Sequence, residues 1–267
     1  MEQIGRHEVQ EDGQEEKIVN RLMSGTYAHF DRDLKRWTRG KVSIITSVIT
    51  PTAWLIFVGL AFPARFTNDY LNFITPGILA MTVLFSSLQA GIFLSFDKVL
   101  GYMNKFLALP SPRESILLGK VFFIVARSLI QVTIIFIIAY LLGIQVASGI
   151  YGIAAIYFAL FMFSFMLSSF AVTLAVITDD YDTYSAVNGL ISMPLFFAST
   201  ALMPYESMPE WLRVIASLNP VSYVIDAVRA LFYGDWYAGM LGASKVTLMA
   251  IIMLGISIYV FRKATVK

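Results

Sequence analysis

The chain has 267 residues, 57% of them hydrophobic and 14% charged, with a mean hydropathy of +0.70 and a formal charge of +2. A soluble domain carries about a quarter charged residues, so this composition excludes an ordinary soluble protein, and the clustering of the apolar residues marks an integral membrane protein. The absence of cysteine excludes disulfides and cysteine-based metal or redox chemistry.

In chain order, residues 1–26 read as a polar N-terminal tail; no apolar core lies near the start, so no cleaved signal is expected. In "YAHFDRDLKRWTRGK", Tyr27, Phe30, Leu34 and Trp37 recur at steps of three, four and three, with Asp31, Arg32, Lys35, Arg36 and Arg39 on the other faces. That spacing predicts an amphipathic helix in the inner interface, its apolar face in lipid and its basic face toward anionic headgroups. A solvated basic flank that only sets topology is the alternative. His7 and His29, the two histidines, precede the first span and read as solvated surface rather than as ligands.

A span needs roughly 20 apolar residues. Candidates lie at 43–62 (with Pro51), 74–95, 116–142, 153–177, 185–203 (short, polar at its entry, with Pro194) and 246–261. Between the second and third runs "FDKVLGYMNKFLALPSPRESILLGK", residues 96–120, carries Lys98, Lys105, Arg113 and Lys120. It also carries Val99, Leu100, Met103, Phe106 and Leu107, spaced like one face of a helix. A plain connecting loop does not need such a pattern. In "SPRE", Ser111 is expected to cap the third span, with Pro112 at its first position and Glu114 completing a capping box.

After the fourth span, Asp179, Asp180 and Asp182 could hold a divalent cation or simply solvate a helix end. Beyond the fifth, Trp211, Leu212, Ile215 and Leu218 line one face, and after Asn219-Pro220 so do Val221, Val224, Ile225, Val228 and Leu231. Two short helices dipping into the outer leaflet fit this, with Tyr223, Tyr233, Trp236 and Tyr237 at headgroup depth.

With the N-terminus inside, fifteen lysines and arginines fall on the inner side and four (Arg65, Arg213, Arg229 and Lys245) on the outer, so both termini are expected to be cytoplasmic. Arg127, within the third span, can snorkel or pair with Asp97 or Asp182. There is no GxxxxGK[ST] loop, so the chain is not expected to hydrolyse ATP alone. No carboxylate sits near the middle of a span, which argues against a proton relay and leaves a membrane hydrolase without its acid, base or metal. No internal repeat points to a repeat-built carrier. A mechanical link to a separate engine accounts for six spans, no engine and a patterned loop helix. A secondary carrier or channel and a non-transporting membrane scaffold are the alternatives.

"SMPLFFASTALMPYESMPEWLRVIASLNPVSYVIDAVR" resembles the signature region of type-2 ATP-binding-cassette (ABC) export permeases. The resemblance rests on Ser192, Leu195, Ala198, Ser199 and Ala201, then Met208-Pro209, Pro220, Tyr223 and Arg229; Val221 replaces a bulkier apolar residue. The stretch from Gly101 to Lys120 is similar to the family's first cytoplasmic loop, and the subgroup it most resembles is the daunorubicin-resistance-like exporters. The resemblance spans residues 30–262.

It implies an all-α integral membrane protein of six transmembrane helices over residues 27–267. An N-terminal interfacial helix, a cytoplasmic coupling helix and outer re-entrant helices would complete it. Tyr27, Phe30, Leu34 and Trp37 would form the interfacial (elbow) helix. Residues 97–109, with Gly101 among them, would couple to a groove in a separate P-loop ATPase. Val99, Met103 and Phe106 would pack there, and Lys98 and Lys105 would face its acidic rim; an amphipathic inner-surface loop is the alternative.

Pro209, Pro220 and Tyr223 would belong to an outer gate, where Asp226 and Arg229 pair at i and i+3, either gating or holding the turn. The family implies no catalytic or metal-binding residue and no cofactor in this chain, with ATP and magnesium in the ATPase. Its partners would be that ATPase, a second permease copy, the lipid bilayer and an amphipathic cargo (drug, lipid or lipid-linked glycan), with no nucleic acid. Its place would be a prokaryotic plasma membrane.

Overall fold

The computed structural model describes residues 2–61, 70–107, 112–178 and 180–265, with side chains from Lys17 onward apart from a few positions. Every regular element among them is helical. Helix α1 (Glu2–Arg39) takes in both the polar tail and the expected elbow segment without a break. The chain then turns at Gly40, and α2 (Lys41–Ala61) leaves at 75°. Helices α3 (Tyr70–Val99), α5 (Glu114–Leu141), α6 (Gly149–Ile177) and α10 (Trp236–Thr265) are each long and apolar enough to cross a bilayer alone. Helix α4 (Tyr102–Leu107) follows α3 across a tight corner at Gly101, whose φ of 69° suits glycine. Helices α8 (Glu210–Leu218) and α9 (Pro220–Phe232) meet at 85°, and counting each bent pair as one span brings the total to six.

The expected fifth span is α7 (Tyr181–Phe197), of 17 residues. At about 1.5 Å per residue it is about 25 Å long, short of the roughly 30 Å of hydrocarbon. Asp180 starts it, accepting from the Thr183 N–H at 2.6 Å and its hydroxyl at 2.8 Å. These bonds hold the Asp180 carboxyl below the ordinary aspartate range. The Asp180 side chain is therefore an N-cap; Asp179 lies outside the described residues. At the start of α5, Ser111 also lies outside them. The capping position is Arg113, which caps with no side-chain bond, and Glu114 pairs with Arg262 of α10 instead. The last helix begins at Trp236 rather than 246, so Trp236 and Tyr237 open α10 instead of closing the dipping segment.

Helix α3 is the axis of the fold. Of its most apolar stretch 78% is buried, against 22% in α10, and it packs on α2, α5, α6, α7 and α9. Lipid supplies little hydrophobic drive between helices, so close approach and hydrogen bonds must hold them. At the α3–α5–α6 crossing, the hydroxyls of Ser87, Ser128 and Ser164 share bonds of 2.9 and 2.8 Å. Where α7 crosses α3, the Tyr184 hydroxyl donates to the Leu88 carbonyl at 2.6 Å. Its ring lies where a Cβ on Gly91 would come within 2.2 Å, so only glycine fits there.

Candidate functional site

The elbow helix is fixed by charge as well as by packing. Asp97, near the end of α3, is 1% exposed, and Lys120 in α5 is 2% exposed. The Lys120 ammonium lies 2.6 Å from Asp97 and 3.0 Å from Asp33 of α1. Arg32 reaches Asp33 at 2.6 Å and Asp97 at 3.0 Å. Arg36 approaches the other Asp97 oxygen at only 3.9 Å, too far for a hydrogen bond. Three helices distant in sequence are thus joined through one buried ionic cluster. Sequence reasoning had Lys120 as a topology charge and missed the cluster. The available signal was an aspartate and a lysine just inside the ends of two apolar runs, where each needs a partner.

The apolar stripe of α1 divides differently from the expectation. Trp37 is buried, Phe30 and Leu34 pack on the core, and Tyr27 is exposed. The stripe therefore faces protein rather than lipid. His29 is 6% exposed, not solvated as expected. Its ring meets Phe106 edge-on at 4.9 Å between centroids. A Cβ on Gly119 would lie 2.5 Å from the His29 Cβ, so the glycine lets α1 lie flush on α5. Burial first, and then the Arg32 guanidinium, push the His29 imidazole down to about 4.

The corner between α3 and α4 sorts its residues by direction. Met103 is buried and Phe106 turns inward, with the Arg32 guanidinium 4.4 Å above its ring. Val99, Leu100 and Tyr102 point outward, 67%, 54% and 40% exposed. The outward apolar set is therefore Val99 with Leu100 and Tyr102 rather than Val99 with Met103 and Phe106. Lys98, expected on a partner's acidic rim, donates instead to the carbonyls of Ala175, Val176 and Thr178 at 2.6, 3.1 and 3.0 Å. Those groups end α6, where unpaired carbonyls attract a cation. The Lys105 side chain lies outside the described residues.

At the opposite end, Asn219 breaks α8 from α9 and donates to the Leu195 and Ala198 carbonyls, each at 2.8 Å. Pro209 starts α8 and Pro220 starts α9, where neither lacks a needed N–H. Trp211, Ile215 and Leu218 face outward, whereas Val221, Val224, Ile225, Val228 and Leu231 are buried. Asp226 and Arg229 are 3.3 Å apart. Asp226 also accepts from Thr200 at 2.7 Å and Tyr205 at 3.2 Å, and Arg229 donates to the Thr200 carbonyl at 2.7 Å and the Phe73 carbonyl at 3.3 Å. The pair ties α9 to the segment after α7 and to the start of α3. Tyr223 donates to the Ser217 carbonyl at 2.9 Å, closing the α8–α9 corner.

A multi-pass helical body with an elbow helix ion-paired across one end, a short helix hung on its central span and a broken helix pair at the other end is the build of a membrane permease subunit. Residues 25–233 match the ABC-2 type transporter family, and the chain belongs to that family of ABC permease subunits. It is 35% identical to the transport permease ycf38 of Cyanophora paradoxa over 206 residues, 74% of this chain and 71% of that one. It is 26% identical to the daunorubicin resistance ABC transporter permease DrrB1 of Streptomyces coeruleorubidus over 235 residues, 86% and 83% of the two chains. With the inner membrane transport permease YadH of Escherichia coli K12 it shares 24% over 210 residues, 76% and 79% of the two.

Proposed function

We propose that this chain forms the export pathway of an ABC transporter for an amphipathic cargo, driven by a separate P-loop ATPase that supplies ATP and magnesium chemistry. A second permease copy completes the pathway, and both termini face the cytoplasm of a prokaryotic cell. The relatives named for daunorubicin and doxorubicin resistance support an amphipathic cargo in the broad sense.

The observation that carries the coupling role is the α3–α4 corner. It presents Val99, Leu100 and Tyr102 to the outside at the end of the central span. Adjacent apolar side chains exposed beside a charged cluster call for a covering partner. The corner is also firmly mounted: Asp97 ties it to α1 and α5, and Lys98 to α6. A displacement applied there reaches four helices together, which lets a nucleotide-dependent partner favour one span packing over another.

Gentle purification from the native membrane and mass spectrometry of stoichiometric partners is the test. A P-loop ATPase is expected, lost in Val99→Asp/Leu100→Asp while the permease still folds. Met103→Asp/Phe106→Asp is expected to loosen α1 as well. Repeated mild preparations without any ATPase would overturn the reading.

A further inference from the structure

The cluster that fixes the elbow leaves one cation out. Arg127 of α5 is 1% exposed and pairs with neither Asp97 nor Asp182. Its guanidinium carbon lies 5.8 Å from the Trp37 ring and 5.5 Å from the Phe93 ring. Its Nε and Nη1 have no hydrogen-bond acceptor among the described residues. Cation–π contacts at such distances are worth about 1–2 kcal/mol, whereas burying an unpaired charge costs several kcal/mol. The aromatic contacts therefore leave most of that cost standing. An arginine stays charged in a protein, so it cannot escape the cost by losing its proton.

The same arginine lines a cavity of about 450 Å³ between α2, α3, α5 and α7. Ligand pockets commonly fall at about 300–1,000 Å³. The wall also carries Ser86, Gln89 and Gln131, and the Ser86 hydroxyl, too, is buried without a hydrogen-bond partner among the described residues. Toward α2 the wall carries Thr46, Ser47 and Thr50 beside Pro51 and Trp54, the Thr46 and Ser47 hydroxyls donating to carbonyls of their own helix; toward α7 it is apolar, with Phe196 and the half-exposed Met193 and Phe197. Among the described residues no carboxylate lines it. A buried cation on the α5 wall and an apolar α7 wall across the same cavity suit the two halves of one amphiphile.

We infer that this cavity binds an amphiphile by its anionic head, a phosphate or carboxylate accepting from Arg127 and Ser86, with the hydrocarbon tail leaving past Trp54 between α2 and α7. The planar guanidinium matches such oxyanions with paired, charge-assisted bonds. Resting on the export reading above, the inference narrows the amphipathic cargo to acidic amphiphiles and sets it apart from the amine-bearing drugs for which two relatives are named, since the described wall offers a cation no counter-charge.

Trp54 supplies the readout. The full chain in phosphatidylcholine nanodiscs is titrated with terminally brominated dodecyl phosphate, dodecanol and dodecyltrimethylammonium, and quenching assigned to Trp54 is taken as the difference from Trp54→Phe. Saturable quenching by the phosphate at least tenfold tighter than by the other two is expected. Arg127→Gln should lose that preference, and Arg127→Lys should restore part of it. Equal quenching by all three probes, or a phosphate preference that survives in a folded Arg127→Gln, would overturn the site.

Should Arg127→Gln not fold, Ser86→Val decides. Weakening confined to the phosphate probe supports the site, and equal weakening of all three overturns it. Phosphatidylglycerol in the disc separates the sources: competition assigns the cavity to a lipid headgroup, and its absence to a single-chain amphiphile. The assay needs no ATPase, so a failed anion preference beside a retained ATPase would reject this site and leave the permease reading intact.

Discussion

The two ends of the molecule are held by different chemistry. At the elbow, Arg32, Asp33, Asp97 and Lys120 bond side chain to side chain, across as many as 87 positions of sequence. At the α8–α9 end, Asp226 and Arg229 sit three residues apart on one helix, and Arg229 spends its donors on backbone carbonyls. A buried cluster of full charges depends on every member, because removing one strands another in low dielectric. Carbonyl anchors are dipoles, and losing the cation strands no opposite charge beyond Asp226, which keeps two hydroxyl donors. The first arrangement suits a rigid mount; the second suits an element that shifts and re-forms its bonds.

The largest expected effect tests the mount. Asp97→Ala leaves Lys120, 2% exposed, with Asp33 as its one remaining carboxylate among the described residues. Breaking such a buried set costs about 3–5 kcal/mol. Detergent or thermal unfolding of the purified chain should show that loss, and proteolysis near Gly40 should accelerate as α1 loosens. Asp97→Leu/Lys120→Met should recover much of it, since matched apolar groups remove the stranded charge. A loss within about 1 kcal/mol would reduce the cluster to the standing of a surface pair.

A smaller effect is expected at the other end. Arg229→Met gives up the Phe73 and Thr200 carbonyl bonds and the stacking of the guanidinium 4.0 Å from the Phe73 ring. The short Thr200 bond, from a charged donor, is worth about 1.5–3 kcal/mol, and the long Phe73 bonds at 3.3 and 3.4 Å contribute little beside it. Hydrogen exchange should speed up in α8, α9 and residues 198–204 while α1 stays protected. A loss larger than that of Asp97→Ala would reverse the comparison.

How much of this the sequence announced follows the same divide. Long apolar runs gave four spanning helices, and Asn219-Pro220 gave the α8–α9 break, because both are local signals. Helix periodicity found the stripe from Phe30 to Trp37 but could not tell lipid from protein as its cover, since both select apolar side chains. The same ambiguity covers Met103 and Phe106, which turn inward, Phe106 onto His29 and Arg32 of α1, while Val99, Leu100 and Tyr102 turn out. The bonds of Lys98 to the end of α6 could not be read locally, because the carbonyls it caps lie far along the chain. The ionic cluster was illegible for the same reason: it exists only once α1, α3 and α5 converge. Gly91 and Gly119 carried no periodic signal at all, and their role appears only through the ring of Tyr184 and the side chain of His29.

The finest distinction between the ends is their response to acid. His29 lies inside the elbow, against Phe106 and close to the charges of Arg32, Asp33, Asp97 and Lys120. Burial, the larger cause, and the neighbouring Arg32 lower its proton affinity from 6.5 to about 4. The unfolded chain therefore binds a proton below the upper value, and the folded chain binds none until the lower one. The contribution of His29 is present above 6.5, declines as pH falls toward 4 and is level outside that window. From about pH 7 to about pH 5 the stability should drop by roughly 2 kcal/mol, a figure that solvent reaching the elbow would reduce. Unfolding midpoints at the two pH values measure it, and His29→Gln should flatten the dependence. Over this interval exchange protection in α1 should weaken while that of α8 and α9 holds. An acid loss shared equally by both ends, or one that survives His29→Gln, would place the sensitive group elsewhere and remove His29 from the account of the elbow.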